Sequence, residues 1–592
     1  MRDIRFVLRH LTDLGALCEL PAFEALDPDT VDGVLEEYGR FVAEVIAPLN
    51  RSGDVEGSTH DPSTGEVRTP EGFVDAYQGY VAAGWGGVPF PEVYDGGGFP
   101  WLVGLALQEM ISSANMAFSM APLLTQGAID LLMHHGDEEQ KERYLKKMVT
   151  GEWTGTMNLT EPEAGSDVGA VRTRAVPADD GSWRITGTKI YISFGEHDLA
   201  DNIVHLVLAR VPDAPPGTRG ISCFIVPKRL VGEDGALGER NSVSCVSIEH
   251  KMGIKASPTC VMDYDGAVGY LIGEPNQGMR YMFTMMNNAR LSVGLEGLAL
   301  AERAYQDALQ YAQERRQGRA PDAPKGESSL IVELPDVRRM LLTMKALIDA
   351  IRAITYVNAE AIDRASHHPD EQERERNQEL VELLTPVSKG FGTDMGIEVT
   401  SLAIQVYGGM GYIEESGVPQ HFRDARITAI YEGTNGIQAM DLVGRKLPMR
   451  AGGVMADFLA EVDALDGPLA EAGDELAVVR RQLADALRTT RETVAWLTEH
   501  GLADVRDALA GATPFLRMFG LLVGGRYLAE AALAARAELE AGGGDDAEHL
   551  AARLVVARFY AEHLLPGVAG LAPAVTAGHD VLYALGPEAL AG

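Results

Sequence analysis

The chain has 592 residues, enough for several packed domains. Its 46% apolar and 23% charged residues exclude a disordered, collagen-like or low-complexity architecture. Its 51 Lys and Arg against 86 Asp and Glu give a formal charge of -35, which disfavours nucleic acid or an anionic membrane surface as a partner, so an anionic ligand would need a locally positive pocket.

Residues 30 to 150 read as helices, with Val31, Val34, Leu35, Tyr38 and Val42 recurring at mostly three- and four-residue steps. The Gly/Pro cluster from Gly84 to Pro100 interrupts that pattern, which resumes through Leu105, Met110 and Ile129 to Leu132 and stops near Thr150-Gly151. After Thr154 the texture becomes β-rich: Trp183 to Thr186, Lys189 to Ile192, Ile203 to Leu208 and Cys223 to Val226, with a turn signal at Asp180-Gly181-Ser182. Short strands without intervening helices predict a small antiparallel sheet or barrel. Helical patterns return from Gly278 to about Leu447, with acid-base mixing at 363–377 that marks an exposed loop or helix end. Beyond Gly452-Gly453, Leu476, Val479, Leu483, Leu487, Val494 and Leu497 share one helical face, and Gly542-Gly543-Gly544 breaks the run.

The predicted class is α+β, mainly α. It comprises an N-terminal helical domain (1–153), a middle antiparallel β-domain (154–277), a C-terminal helical bundle (278–449) and an added helical domain (450–592). The four cysteines, Cys18, Cys223, Cys245 and Cys260, lack the spacing of a zinc ribbon or a disulfide framework, which fits a reducing cytoplasm. The charged start, Met1 to Phe6, does not read as a signal peptide, and no run of about 18 apolar residues suggests stable membrane insertion.

No GxGxxG follows a strand, and GxxxxGK[ST] and HExxH are absent, so neither common nucleotide loop is present and no metal centre is expected. Taken alone, Gly408-Gly409-Met410-Gly411 is a turn, Thr160-Glu161-Pro162 is a proline-restricted turn, and Glu432-Gly433-Thr434 is an exposed helix start whose carboxylate the macrodipole favours.

Two separated segments change that reading: Leu159-Thr160-Glu161-Pro162-Glu163-Ala164-Gly165-Ser166-Asp167 and Ile430-Tyr431-Glu432-Gly433-Thr434-Asn435-Gly436-Ile437-Gln438. With Arg290, Gln405-Val406-Tyr407-Gly408-Gly409 and the helix-sheet-helix order, they resemble the acyl-CoA dehydrogenase family over roughly residues 30 to 450. Tyr431 to Leu447 and Lys251 to Cys260 are similar to the large members with a C-terminal helical extension, a group that includes 3-methylmercaptopropionyl-CoA dehydrogenases.

The resemblance implies FAD as cofactor and α,β-dehydrogenation of an acyl-CoA to a trans-2-enoyl-CoA. Glu432 would take the α proton while flavin N5 takes the β hydride, and an electron-transfer flavoprotein would carry the electrons onward in fatty-acid metabolism. A hydride acceptor must be a cofactor, because no side chain is one. A carboxylate of ordinary pKa about 4.3 is a weak base for this proton, and enclosure would strengthen it. By the same resemblance, the Glu432 N–H would hold the thioester oxygen, with Tyr431 and Gly433 lining the substrate.

Met157, Leu159, Thr160, Gly165, Ser166, Tyr191, Ile192 and Ser193 are implied to meet the flavin, Ser166 also at the substrate junction. Tyr191-Ile192-Ser193 stands where the family commonly has Trp-Ile-Thr. Arg290 is implied to support the active-site edge from the start of a helix, or by its residue type alone to form a surface salt bridge. Asn287 replaces the Asp that touches pantetheine in many members. Arg315, without the family's following Phe-Gly, is implied to reach the FAD pyrophosphate of a neighbouring subunit. Gln405, Gly408 and Gly409 would line that partner's adenosine half, with Thr434 and Gln438 near the pyrophosphate, so the resemblance implies at least a homodimer.

Two further readings stay open from sequence. One is a flavin oxidase, an oxygenase or a dehydrogenase of carrier-protein-bound acyl groups; the other is a catalytically silent acyl-CoA-binding scaffold.

Overall fold

The computed structural model describes residues 1–591, apart from the side chains of Asn287 and Asp545. It falls into two compact units, one of residues 29–292 and one of residues 1–28 with 293–592.

The first unit begins with helices. Two of them are apolar almost all round and bury nearly their whole circumference: α2 (Trp101–Ala114) and α3 (Met116–His135). Asn115 ends one and caps the other, its Oδ1 accepting the Phe118 N–H at 3.1 Å. Leu124, Leu131 and Leu132 of α3 join Val204, Leu206 and Ile225 of the sheet in one apolar cluster.

That sheet has seven strands: β1 (Trp153–Asn158), β2 (Arg174–Pro177), β3 (Trp183–Ser193), β4 (Asn202–Ala209), β5 (Ser222–Pro227), β6 (Val243–Ile248) and β7 (Thr259–Leu271). Their order is β1-β4-β5-β7-β3-β2, with β6 also paired to β7. All pairs are antiparallel except β1 with β4, which run parallel from Trp153↔Asn202. β4 and β5 are buried throughout and read as continuous apolar runs. The two short runs at 183–186 and 189–192 form one strand, β3, whose pairing with β7 slips by a residue between Ile192↔Cys260 and Lys189↔Met262.

In the second unit, α1 (Arg2–His10) packs on helices of the chain's second half, through Phe6 beside Ala531, Ala535 and Leu550 and through Asp3 with Lys345 at 2.8 Å and Arg553. The first 28 residues therefore do not group with the helices that follow them in sequence.

Three long helices build the centre: α4 (Gly278–Glu314, which begins in the first unit), α5 (Pro335–His367) and α6 (Glu371–Tyr407). α4 and α6 cross with backbones in contact. A Cβ on Gly294 would lie 2.4 Å from the Ser388 carbonyl, and one on Gly297 would lie 2.8 Å from that of Gly392. Only glycine fits such a crossing.

Short α7 (Asn435–Asp441) follows the Tyr431–Thr434 segment, and α8 (Ala477–Ala503), α9 (Val505–Glu540) and α10 (Ala547–His563) form much of the added region. The apolar face read from the sequence is buried at Leu476, Val479, Leu483, Leu487 and Leu497 and half-buried at Val494. α9 presses Gly520 onto Phe391 of α6. By length and composition α3 and α9 could each cross a membrane, but 83% and 72% of their most apolar windows are buried inside the protein, as for core helices.

Candidate active site

In the first unit the segment from Leu159 to Ser166 is a tight turn closed by paired backbone bonds, Glu161 N–H to Ala164 O at 3.1 Å and Ala164 N–H to Glu161 O at 3.0 Å. It is tied to β3 twice: the Ile190 N–H donates to the Thr160 carbonyl at 2.9 Å, and the Lys189 Nζ donates to the Leu159 carbonyl at 3.0 Å. Lys189 is fully enclosed and also meets Glu161 Oε1 at 2.8 Å. The Glu161 carboxylate further accepts the Thr173 N–H and hydroxyl and the Arg172 N–H. Burial alone would raise the pKa of Glu161, but Lys189 and these donors outweigh it and hold it below the usual carboxylate value. Burial pulls Lys189 down to about 8 against the opposing attraction of Glu161.

The slip in β3 is a β-bulge. It holds Tyr191 at φ 60, in the left-handed region, and leaves the residue 61% exposed. A tyrosine in that conformation stores backbone strain, and such outliers cluster at functional sites. Along this surface the Thr160, Ser166 and Ser193 hydroxyls make no hydrogen bond among the described residues, and Gly165 has open space at its Cβ position. An exposed aromatic face beside three unengaged hydroxyls fits the edge of a planar heterocycle such as a flavin. Met157 is half-buried, whereas Leu159 and Ile192 turn their side chains into the core and offer such a ligand only backbone.

Arg290 lies about three turns inside α4, not at its start. It is 6% exposed with its guanidinium 5.9 Å from the Phe283 ring centroid, so the surface-salt-bridge alternative fails. The side chain of Asn287 lies outside the described residues.

In the second unit, Glu432 and Gly433 sit at φ 54 and 83, two consecutive left-handed residues, before Thr434 caps α7 by accepting the Ile437 N–H. Strain at a glutamate persists only where the surroundings impose it, and here they do. Below the turn, Asn435 accepts from Lys389 Nζ at 2.8 Å and donates to the Gly390 carbonyl and to Asp394. Gln438 Nε2 donates to the Gly433 carbonyl at 3.2 Å. Gln438 is fully buried, so its side chain supports the turn and has no surface to offer a pyrophosphate. The Tyr431 hydroxyl is likewise turned inward, donating to Glu296.

Arg315, Gln405, Gly408 and Gly409 are exposed. Tyr311 of α4 stacks on Tyr407 of α6 at 4.1 Å and 11°, which brings the Arg315 end of α4 beside the Gly408-Gly409 corner. The same face carries exposed Met410, Tyr412 and Ile413.

The family models described as Acyl-CoA dehydrogenase, N-terminal domain, middle domain and C-terminal domain match residues 30–152, 156–267 and 276–447, and Acetyl-CoA dehydrogenase C-terminal like matches 454–586. The chain is 49% identical over 570 residues to the 3-methylmercaptopropionyl-CoA dehydrogenase of Ruegeria pomeroyi, covering 95% of each. The chain belongs to the acyl-CoA dehydrogenase family. It is 37% identical to a butyryl-CoA dehydrogenase of Syntrophomonas wolfei, over 96% of this chain and 95% of that one. The fold is shared with an acyl-CoA dehydrogenase of Bacillus anthracis solved with FAD, at TM-score 0.72 and 20% identity over 94% of this chain and 90% of that one. Family membership accounts for the two motif segments. Sequence reasoning gave no role to the groups that hold them in place: Lys189 and Glu296, for which spacing carries no signal, and Asn435, which lies inside the second motif.

Proposed function

We propose that the protein is an FAD-dependent dehydrogenase of a short acyl-CoA that forms the trans-2-enoyl-CoA and passes electrons to an electron-transfer flavoprotein. The observation that carries this reading is Glu432, a carboxylate held in a strained left-handed turn by a buried polar network. Bound FAD supplies the acceptor for the β hydride. The chain supplies the rest: Glu432 removes the α proton onto its carboxylate, and its backbone N–H donates to the thioester oxygen, where a single such donor is worth about 3–4 kcal/mol. Tyr191, Thr160 and Ser193 orient the flavin, and Ser166 meets it where the substrate enters. Arg315, Gln405, Gly408 and Gly409 serve the cofactor of a second copy across the face carrying Met410 and Tyr412, in a cytoplasmic homodimer.

A short acyl group is favoured by the names of the relatives, 3-methylmercaptopropionyl-CoA and butyryl-CoA dehydrogenases. A cavity among the N-terminal helices, lined by Tyr38, Tyr80, Trp85, Gln108 and Leu123, has a volume of about 10 Å³, room for about one water. Trp85 Nε1 and Gln108 Nε2 are buried N–H groups without a hydrogen-bond partner among the described residues.

The test is anaerobic bleaching of the flavin by 3-methylthiopropionyl-CoA and butyryl-CoA. Glu432→Gln keeps its FAD and loses bleaching; wild-type reduction kinetics in that variant would remove Glu432 from the role of base.

A further inference from the structure

α4 places a second carboxyl group beside the Tyr431-Glu432 turn. Glu296 is 0% exposed. One of its oxygens, Oε2, accepts the Tyr431 hydroxyl, and the other, Oε1, has no hydrogen-bond partner among the described residues. A buried carboxyl with an unmatched oxygen is an expensive choice for packing alone, since an apolar side chain of similar volume would fill the same space without an unpaired polar atom. The glycine crossing of α4 and α6 holds it in place, because Gly294 and Gly297 flank Glu296 in sequence and press directly on the α6 backbone.

Three ionisable groups face it. Tyr431 and Glu432 come from the turn, and Lys389 comes from α6, where Asn435 holds its ammonium. Asp394 stands one hydrogen bond further, on the Asn435 amide. Burial pushes Glu296 up to about 8; the Tyr431 hydroxyl and Lys389 oppose that rise, and the Glu432 charge adds to it. Burial, Glu296 and Glu432 together raise the Tyr431 phenol well above its ordinary value, so the hydroxyl stays protonated and keeps donating.

We propose that Glu296 is a positioning residue for the base: from the glycine crossing it anchors the Tyr431-Glu432 turn through the Tyr431 phenol, and its own charge state sets how much negative charge stands beside the base. The proposal rests on Glu432 being the base. The charge of each carboxyl acts on the other. Near neutrality burial keeps the proton on Glu296, so its carboxyl adds no charge beside the base. As pH rises through about 8, Glu296 ionises and places a second negative charge beside the base. The rate of proton abstraction changes with it.

The test uses FAD-loaded enzyme. Flavin reduction at saturating acyl-CoA is followed anaerobically from pH 6 to 9.5, and the carbonyl stretch of a protonated carboxyl is followed by difference infrared over the same range without substrate. Wild type is expected to show one inflection near pH 8 in both signals. In Glu296→Gln both inflections disappear while the acid limb stays in place, because the amide is neutral as Glu296 is there. Glu296→Asp restores a titrating carboxyl in both signals. If Glu296→Gln does not retain flavin, Tyr431→Phe serves instead: it removes the hydroxyl that lowers Glu296 and moves the inflection to higher pH. Inflections that persist unchanged in Glu296→Gln, or an unmoved one in Tyr431→Phe, overturn the proposal. Undiminished bleaching by Glu432→Gln would instead overturn the assignment of the base, and the infrared signal of Glu296 would survive that failure.

Discussion

Lys189→Met tests whether the buried pair beneath the Leu159–Ser166 turn serves the cofactor site. The substitution keeps the side chain's volume and apolar stem but removes the ammonium that binds Glu161 at 2.8 Å and the Leu159 carbonyl at 3.0 Å. Removing one partner of a buried ion pair typically costs about 3–5 kcal/mol, because the other charge stays behind uncompensated. Glu161 keeps the Thr173 N–H and hydroxyl and the Arg172 N–H, which places the expected loss at the low end, about 3 kcal/mol. If that loss falls on the turn that presents Thr160 and Ser166, FAD affinity falls by about a hundredfold at about 1.4 kcal/mol per decade.

The pH dependence gives the sign. In the wild type the depressed pKa of Glu161 stabilises the fold above the ordinary carboxylate value, and this is lost as pH falls through the folded value. Without Lys189 burial dominates and the folded pKa rises above the unfolded one, so stability is highest at low pH and is lost as pH rises through the new value. Lys189→Met should therefore melt higher at pH 5 than at pH 7.5, opposite to wild type, and adding Glu161→Leu should recover most of the loss by removing the stranded charge. FAD titration of the apoprotein and thermal melts at both pH values decide the matter. An FAD affinity within twofold of wild type, at whatever melting temperature, refutes the link between the pair and the cofactor turn.

Gly433→Ala places a side chain at φ 83, directly after a glutamate already at φ 54, and should cost about 1–2 kcal/mol. Stopped-flow reduction should slow by about tenfold with FAD retained, and a wild-type rate would show that the turn tolerates the Cβ.

The reactive ends of the site were legible in the sequence because each is a short contiguous segment whose backbone makes its own geometry. Thr160 to Ser166 closes on itself, and Glu432-Gly433 turns before a threonine cap. Helix faces were legible for the same reason, since periodicity records which side is buried. It does not record what the buried side meets. Lys189 and Glu161 are 28 residues apart and Tyr431 and Glu296 are 135 apart, so each pair exists only once strands or helices have docked. Gln438 shows the limit from the other direction: its residue type suits a phosphate, yet packing turned it inward onto Gly433. The outward set of Tyr191 depends on a one-residue slip between β3 and β7, which no local propensity encodes.

These long-range groups share one arrangement. Lys189 lies beneath the Leu159–Ser166 turn, and Asn435, Gln438 and Glu296 lie beneath Glu432, each holding a backbone or charge in a state it would not keep in water. A carboxylate on a relaxed, hydrated loop would sit near its ordinary pKa of about 4.3 and wander over many rotamers. At φ 54 in a turn tied to a buried acid, its backbone is confined to one strained conformation. Glu296 reaches the strained turn through the Tyr431 hydroxyl, so removing that acceptor tests what imposes the strain. Glu296→Gln is therefore expected to preserve the left-handed turn, because Tyr431 still finds an acceptor, whereas Glu296→Leu removes that acceptor and frees the turn. A crystal structure of Glu296→Leu with Glu432 still at positive φ would show that the turn is imposed by Asn435 and Gln438 alone.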